Sequence, residues 1–373
     1  MTPSVENKRQ PAVRLHLTNV AGAGATQLLQ SLLPALERSS QSTIVQINLP
    51  DREALASYAA TSTSARLARY RRRLPNAISR LLECTLFGRQ FDGKAPLLVL
   101  GDLPLRCRAP QTVFVQTSHL LRPARFRWSV AAVKFAISRM IFRLNMHCAS
   151  AFIVQTQLMK DALISTYPAV AGKVHVIAQP VPAWLLQTKL VRTSRKLIKG
   201  EGLNLIYPAA SSPHKNHKLL SGIASQSAGT WPVQRLVLTV AEELNPAPSV
   251  AWINCLGFLS AQQMIQAYSD VDALLFLSQD ESYGFPLVEA MFIGLPIICP
   301  DLPYARTLCG DEAVYFESNN LSSLKKAVST MNNKINSGWW PDWSEQMSLI
   351  PASWEAVADG MLSITTASRH DTQ

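Results

Sequence analysis

Residues 278–294 read SQDESYGFPLVEAMFIG and follow directly on the apolar run Ala273–Leu277, ALLFL. A short apolar run bounded by polar residues reads as a buried strand. Ser278–Gly284 is then a loop, and Pro286 opens a helix, because the first helical position has no use for an amide hydrogen. Gly294 suits the C-terminal cap, and Pro296 stops any continuation. Strand, loop and short helix make up the repeating unit of an open parallel sheet. Such sheets collect their ligands at the carboxyl ends of the strands. There a helix N-terminus offers amide donors and the positive end of its dipole, which suits a phosphate. Gly284 lets a ligand come close to the backbone.

Two acids flank this device. Glu281 lies in the loop, and Glu289 falls about one turn into the helix. A carboxylate has two acceptor oxygens, so Glu289 can take both hydroxyls of a vicinal diol such as ribose. Glu281 can hold sugar hydroxyls nearer the phosphate. Taken singly, Glu289 reads as a dipole partner and Glu281 as a solvated loop acid. Beside Gly284 and Pro286, a ligand role is the better reading.

The same alternation runs outward in both directions. Strands are expected at 204–207, 235–239, 250–254 and 297–299, with helices from about His217 and over Ala261–Tyr268. Upstream, strands are expected at 13–20, 97–100, 112–115, 151–154 and 174–177, with a helical run over Gln27–Leu36. Strands alternating with helices predict a parallel sheet covered on both faces. The polar, basic stretch 186–202 reads as a linker. The expected architecture is α/β, with two doubly wound Rossmann-like domains facing a cleft, residues 1–190 and 200–350. A helix over Pro351–Ile364 and a tail to residue 373 follow.

The chain has 373 residues and a net charge of +11, unevenly divided. Residues 1–200 hold 28 Lys and Arg against 8 Asp and Glu, or +20, while residues 201–373 hold 8 against 17, or −9. The basic half should attract a polyanion. It shows no zinc-finger, RRM-type or basic-zipper pattern, so nucleic acid is not the expected partner. Its cations lie among apolar residues, as in Arg69–Leu74 and Arg122–Trp128, which favours an anionic membrane face over a merely solvated surface. Arg66, Arg69, Arg73 and Arg80 would share one helix face, although Pro75 interrupts it. Residues 1–14 lack the apolar core of a signal peptide, and no stretch is long and apolar enough for a spanning helix. Six scattered cysteines form no CxxC pair and no metal set, so a reducing, cytoplasmic setting is expected.

ESYGFPLVEAM followed by GLPIICPD resembles the E-x7-E segment of the retaining, GT-B-fold glycosyltransferases of family 4, the group 1 transferases. The likeness covers most of the chain and is densest over 203–318. It implies a hexose transfer from a nucleotide-diphosphate sugar to a saccharide or polyprenyl-linked acceptor, with retention, in surface polysaccharide assembly. It also implies a peripheral location on the inner face of the membrane and a C-terminal helix that returns to the first domain. Neither a cofactor nor a metal is expected. Lys215, in Lys215-Asn216, matches the family's diphosphate-binding lysine; read alone, it is equally a surface lysine. Many members carry an arginine five residues earlier, where this chain has Ala210, so Ser211, Ser212 and backbone donors would assist Lys215.

By the same likeness, Glu281 holds the donor sugar, Glu289 the ribose, and Gly284, Phe285, Pro286 and Leu287 the diphosphate. Gly22 and Gly24 resemble the family's first glycine loop, and His119 matches a histidine close to the reacting sugar. A dinucleotide fingerprint fails at Gln27, where a third glycine is needed. Asp270 and Asp272 form a DxD pair, but their place before a buried strand makes them helix end and strand opening rather than metal ligands. The rival readings are a GT-B-fold nucleotide-sugar epimerase and a non-catalytic basic binding protein.

Overall fold

In the first half the apolar runs become strands β1 (Ala12–His16), β2 (Thr43–Pro50), β3 (Arg66–Tyr70), β4 (Leu97–Val99), β5 (Gln111–Phe114), β6 (Ala151–Val154) and β7 (Val174–Val176). A computed structural model describes residues 10–20, 23–51, 54–60, 65–71, 76–121, 130–194, 201–225 and 228–367. The seven strands form one parallel sheet in the order β3-β2-β1-β4-β5-β6-β7. β4, β5 and β6 are buried along their whole length, as expected of strands covered on both faces. Helices α1 (Ala23–Arg38), α2 (Asn76–Cys84), α3 (Val130–Asn145) and α4 (Gln157–Thr166) lie between them in sequence.

The second half continues with α5 (Ala183–Leu186), β8 (Leu203–Tyr207), β9 (Val233–Leu238), β10 (Ile253–Cys255), α6 (Ala261–Ser269) and β11 (Ala273–Leu275). It ends with α7 (Phe285–Ile293), β12 (Ile297–Pro300), α8 (Pro303–Cys309), β13 (Val314–Phe316), α9 (Leu321–Asn336), α10 (Ser344–Ser348) and α11 (Trp354–Ala367). Its six strands form a second parallel sheet, β10-β9-β8-β11-β12-β13. In both sheets the order reverses direction once, between β1 and β4 and between β8 and β11. Two Rossmann-like sheets of this kind are the GT-B fold.

The chain divides into two compact units, Met1–Pro180 with Pro351–Gln373, and Val181–Ile350. The change of unit falls earlier than the polar linker suggested. The first part of that stretch is itself held in the second unit: the Arg192 amide donates to the Ile293 carbonyl at 2.6 Å, and its guanidinium to the Val271 carbonyl at 2.7 Å. The terminal helix belongs to the first unit. α11 buries Trp354, Val357, Ala358, Met361 and Leu362 against α1 and the sheet. Ser39 donates to Asp359 at 2.5 Å and Arg38 pairs with Glu355 at 2.8 Å, holding its outer side.

Two further corrections concern the basic half. Arg66 and Arg69 lie on β3, an edge strand, and not on a helix with Arg80, which is in α2. An edge strand keeps one side in solvent, so charged residues suit it and give no apolar alternation to read. Arg73 and the run Arg122–Trp128 lie outside the described residues. The helix expected from His217 is present as the 3-10 segment His217–Ser225.

Candidate active site

β8 and β11 are neighbours across the point where the second sheet reverses direction. A crevice outside the strand ends is the usual ligand site at such a point. The loop after β8 carries Lys215 and the loop after β11 carries Glu281. The Gln279 amide donates to the His214 carbonyl at 2.8 Å, and the Ser278 hydroxyl donates to the same carbonyl at 3.3 Å. Tyr304 from α8 donates to the Ser278 carbonyl, and Tyr207 donates to the Lys215 carbonyl at 2.6 Å. Asn216 takes a left-handed conformation, φ 57°, that ends the turn 213–215.

These bonds bring two residues 66 positions apart into contact: Lys215 Nζ donates to Glu281 Oε1. The ammonium also lies 5.8 Å from the Phe276 ring centre. The side chains keep 18% and 11% exposure, so a ligand can reach the pair. His217 packs 4.9 Å from the Tyr207 ring. Burial, helped by the nearby Lys215 cation, pulls its imidazole down to about 4, so it is neutral at ordinary pH.

Gly284 caps α7 with φ +93°, a conformation that side chains rarely adopt. A Cβ there would meet Leu287 and Leu308 at 3.3 Å, so glycine also serves the packing of α7 on α8. Pro286 occupies the second helical position, one later than expected, because α7 begins at Phe285. The Leu287 amide closes the first turn on the Gly284 carbonyl at 2.9 Å. Leu287, expected to offer a donor, is thus engaged and its side chain is buried. Pro286 has no amide hydrogen, which leaves Gly284 and Phe285 as the backbone donors of the expected set.

Glu289 is 5% exposed and accepts from Tyr268 at 2.6 Å. Burial pushes its carboxyl up to about 7, against the opposing pull of the tyrosine hydroxyl. Tyr268 itself, sealed in and facing that carboxylate, is held well above the usual phenol range. No local pattern marks Tyr268 or Tyr304 as site partners, since each reaches the site from another helix. Ser211 is exposed, and Ser212 turns the loop, its amide donating to Ala210 and its carbonyl accepting from Lys215, both at 2.9 Å. Asp270 is the C-cap of α6, and Asp272 accepts from the Asn204 amide at 2.8 Å. Among the described residues no group of three or more His, Cys, Asp or Glu could hold a metal ion.

The remaining expected residues belong to the first unit. Gly22 lies outside the described residues, and Gly24 stands in the first turn of α1, where an added Cβ would meet nothing within 4 Å. His119 follows β5, half-buried, its ring 4.2 Å from that of Phe135. Sequence reading missed Asp102, which follows β4 with φ 67°. Its carboxylate accepts from the Gln116 and Thr117 amides at 2.6 and 3.1 Å, fastening the loop that carries His119. Burial raises its pKa despite those two donors.

Residues 194–334 match the family model for glycosyl transferases, group 1. That match lies within the second unit and spans most of it. The chain is 22% identical over 267 residues to the O-antigen chain mannosyltransferase RfbU of Salmonella typhimurium, covering 64% of this chain and 70% of the relative. Its fold is similar to sucrose-phosphate synthase from Thermosynechococcus elongatus, with TM-score 0.64, 13% identity and coverage of 96% of this chain and 99% of that one. It is also similar to WaaG, a glycosyltransferase involved in lipopolysaccharide biosynthesis, with TM-score 0.63, 12% identity and the same coverage.

Proposed function

We propose that this glycosyltransferase moves a hexose, mannose first among the candidates, from a nucleoside-diphosphate sugar to a lipid-linked saccharide in assembly of an O-antigen-type polysaccharide. The observation that carries the reading is the Lys215–Glu281 contact beside the N-terminus of α7. Mannose is taken from the activity of the RfbU relative. In this scheme the arriving diphosphate draws Lys215 from Glu281, and the freed carboxylate accepts the donor sugar's hydroxyls. The Gly284 and Phe285 amides meet the phosphates, and the second oxygen of Glu289, with Tyr268 on the first, takes a ribose hydroxyl.

The glycosidic carbon–phosphate oxygen bond breaks as the acceptor oxygen bonds to the same face of the anomeric carbon. The acceptor's proton passes to the departing phosphate. Configuration is thereby retained, and catalysis consists of positioning and leaving-group stabilisation. The cation and amides already placed at the phosphate stand in for a metal, and no cofactor is needed.

Among the described residues no helix is long and apolar enough to cross a membrane. The proposed place of work is the cytoplasmic leaflet, held peripherally by the basic half. A thermal-shift screen with GDP, UDP, ADP, CMP and dTDP tests the donor site, with Glu289→Ala alongside. The expected result is a selective shift with one diphosphate, lost in the variant. A flat screen would sink the donor-site assignment. Anomeric NMR of the product from the matching sugar nucleotide then tests retention.

A further inference from the structure

We propose that the C-terminal ends of α2 and α3, in the first unit, form the surface that docks on an anionic lipid bilayer. The inference rests on the membrane reading above and assigns it to particular residues.

α3 has the sequence VAAVKFAISRMIFRLN and is apolar on two sides. Ile141 and Phe142 enter the core. Val133, Met140 and Leu144, spaced seven and four residues apart, form a second, exposed stripe, while Ile137 packs partly buried against the core. A helix surface facing water is ordinarily polar. Here Met140 and Leu144 stand 50% and 56% exposed. In the turn after α2, Leu86 and Phe87 are 73% and 51% exposed.

The C-terminal ends of the two helices are neighbours in space. The Asn145 side chain, at the end of α3, donates to the Cys84 carbonyl, at the end of α2, at 2.9 Å. The Arg106 amide donates to that same carbonyl at 2.9 Å. One carbonyl therefore joins both helix ends and an arginine. Exposed Arg89, Arg106 and Arg143 accompany the apolar residues, and α3 itself contains no acid.

Apolar side chains at the acyl boundary with guanidinium groups at the phosphates describe an interfacial contact. A second copy of the chain or another protein would also bury Leu144 and Phe87. A bilayer offers acyl chains and anionic phosphates together over the whole face, whereas a second copy would have to bring its acidic half onto it. The +20 charge of residues 1–200 supplies the longer-range attraction.

Co-sedimentation of the full chain with vesicles tests the assignment. One set mixes phosphatidylglycerol with phosphatidylcholine, and the other is phosphatidylcholine alone. The unaltered protein should sediment with the first set only. Phe87→Ser with Leu144→Ser should cut vesicle affinity about tenfold or more, since roughly 0.8 kcal/mol follows each buried methylene. Arg143→Gln should weaken binding and flatten its salt dependence. Unchanged thermal midpoints show that both variants are folded.

A folded double variant that sediments like the unaltered protein would overturn this surface while leaving membrane attachment intact. Failure of the unaltered protein to sediment would remove both. Light scattering that shows a dimer, broken by the double substitution, with no vesicle binding would give the face to a second copy and overturn the proposal.

Discussion

Between β8 and β11 in the second unit, Lys215 and Glu281 meet with 18% and 11% of their side chains accessible. Near the β1–β4 reversal in the first unit, His16 lies 3.0 Å from Glu83 with both at 0%. Thr18 bonds the same imidazole nitrogen at 2.9 Å, and Gly101 presses so close to Asn19 that a Cβ would meet its Cβ at 2.5 Å. The topology is alike and the chemistry is not. A pair that a ligand can reach can trade its partner for that ligand. A sealed pair can only hold the structure together, since separating it leaves a charged or polar group without water.

Breaking the sealed pair should have the largest effect. Glu83→Leu strips His16 of its carboxylate and should cost about 3 kcal/mol or more of stability, read as a lowered denaturant midpoint. Nucleotide binding to the folded fraction should stay as it was. If that binding fell equally, the division of labour between the units would be wrong.

Next in size is Lys215→Ala, which should lower the transfer rate by roughly a hundredfold or more, as loss of one charge-stabilising group does. Its thermal midpoint should move little, because the partner Glu281 retains access to water. Initial-rate assays beside a melting curve separate the two effects. A stability loss matching that of Glu83→Leu would make the Lys215 pair structural as well.

Glu289→Gln sharpens the contrast through pH. The carboxyl titrates near 7 in the fold against 4.5 as its ordinary value. The folded state therefore binds more protons than the unfolded one between those pH values, so this group's contribution to stability falls as pH rises through that window. Above pH 7 the cost is complete, of order 3 kcal/mol. Glutamine escapes it, so the variant should melt several degrees higher at pH 8 and gain little at pH 4. Ribose hydroxyls prefer the ionised form, so nucleotide affinity should rise with pH through 7 in the unaltered protein and be weak and flat in the variant. Calorimetry at pH 6 and 8 decides it.

Gly284→Ala carries the smallest expected effect, about 1–2 kcal/mol, from the left-handed backbone and the 3.3 Å contacts with Leu287 and Leu308. Nucleotide affinity should fall along with the melting temperature, because α7's first turn moves. Unaltered affinity would mean that the phosphate does not rest there.

Much of the second unit was legible because its signals are short-range. The capping glycine at 294, the proline near the start of α7 and the apolar run of β11 sit within about twenty residues of one another, and the strand-loop-helix stands where they place it. The edge strand β3 was not legible. Its burial pattern has no inner face to produce alternation, and arginine at an edge looks like arginine on a helix. α8, β13 and α9 also went unread, and of these β13 has only three residues. The buried character of Glu289 escaped as well, since a glutamate one turn into a helix ordinarily faces solvent.

By itself, then, the sequence determined the alternating α/β pattern, the device at Gly284–Glu289 and the division of charge between the halves. Each follows from residue type and near-neighbour spacing. Only the tertiary structure decided that Lys215 would touch Glu281, that Tyr268 would hold Glu289, and that His16 would be sealed on Glu83. Those contacts depend on which strands become neighbours, and strand order is settled by burying the whole sheet at once.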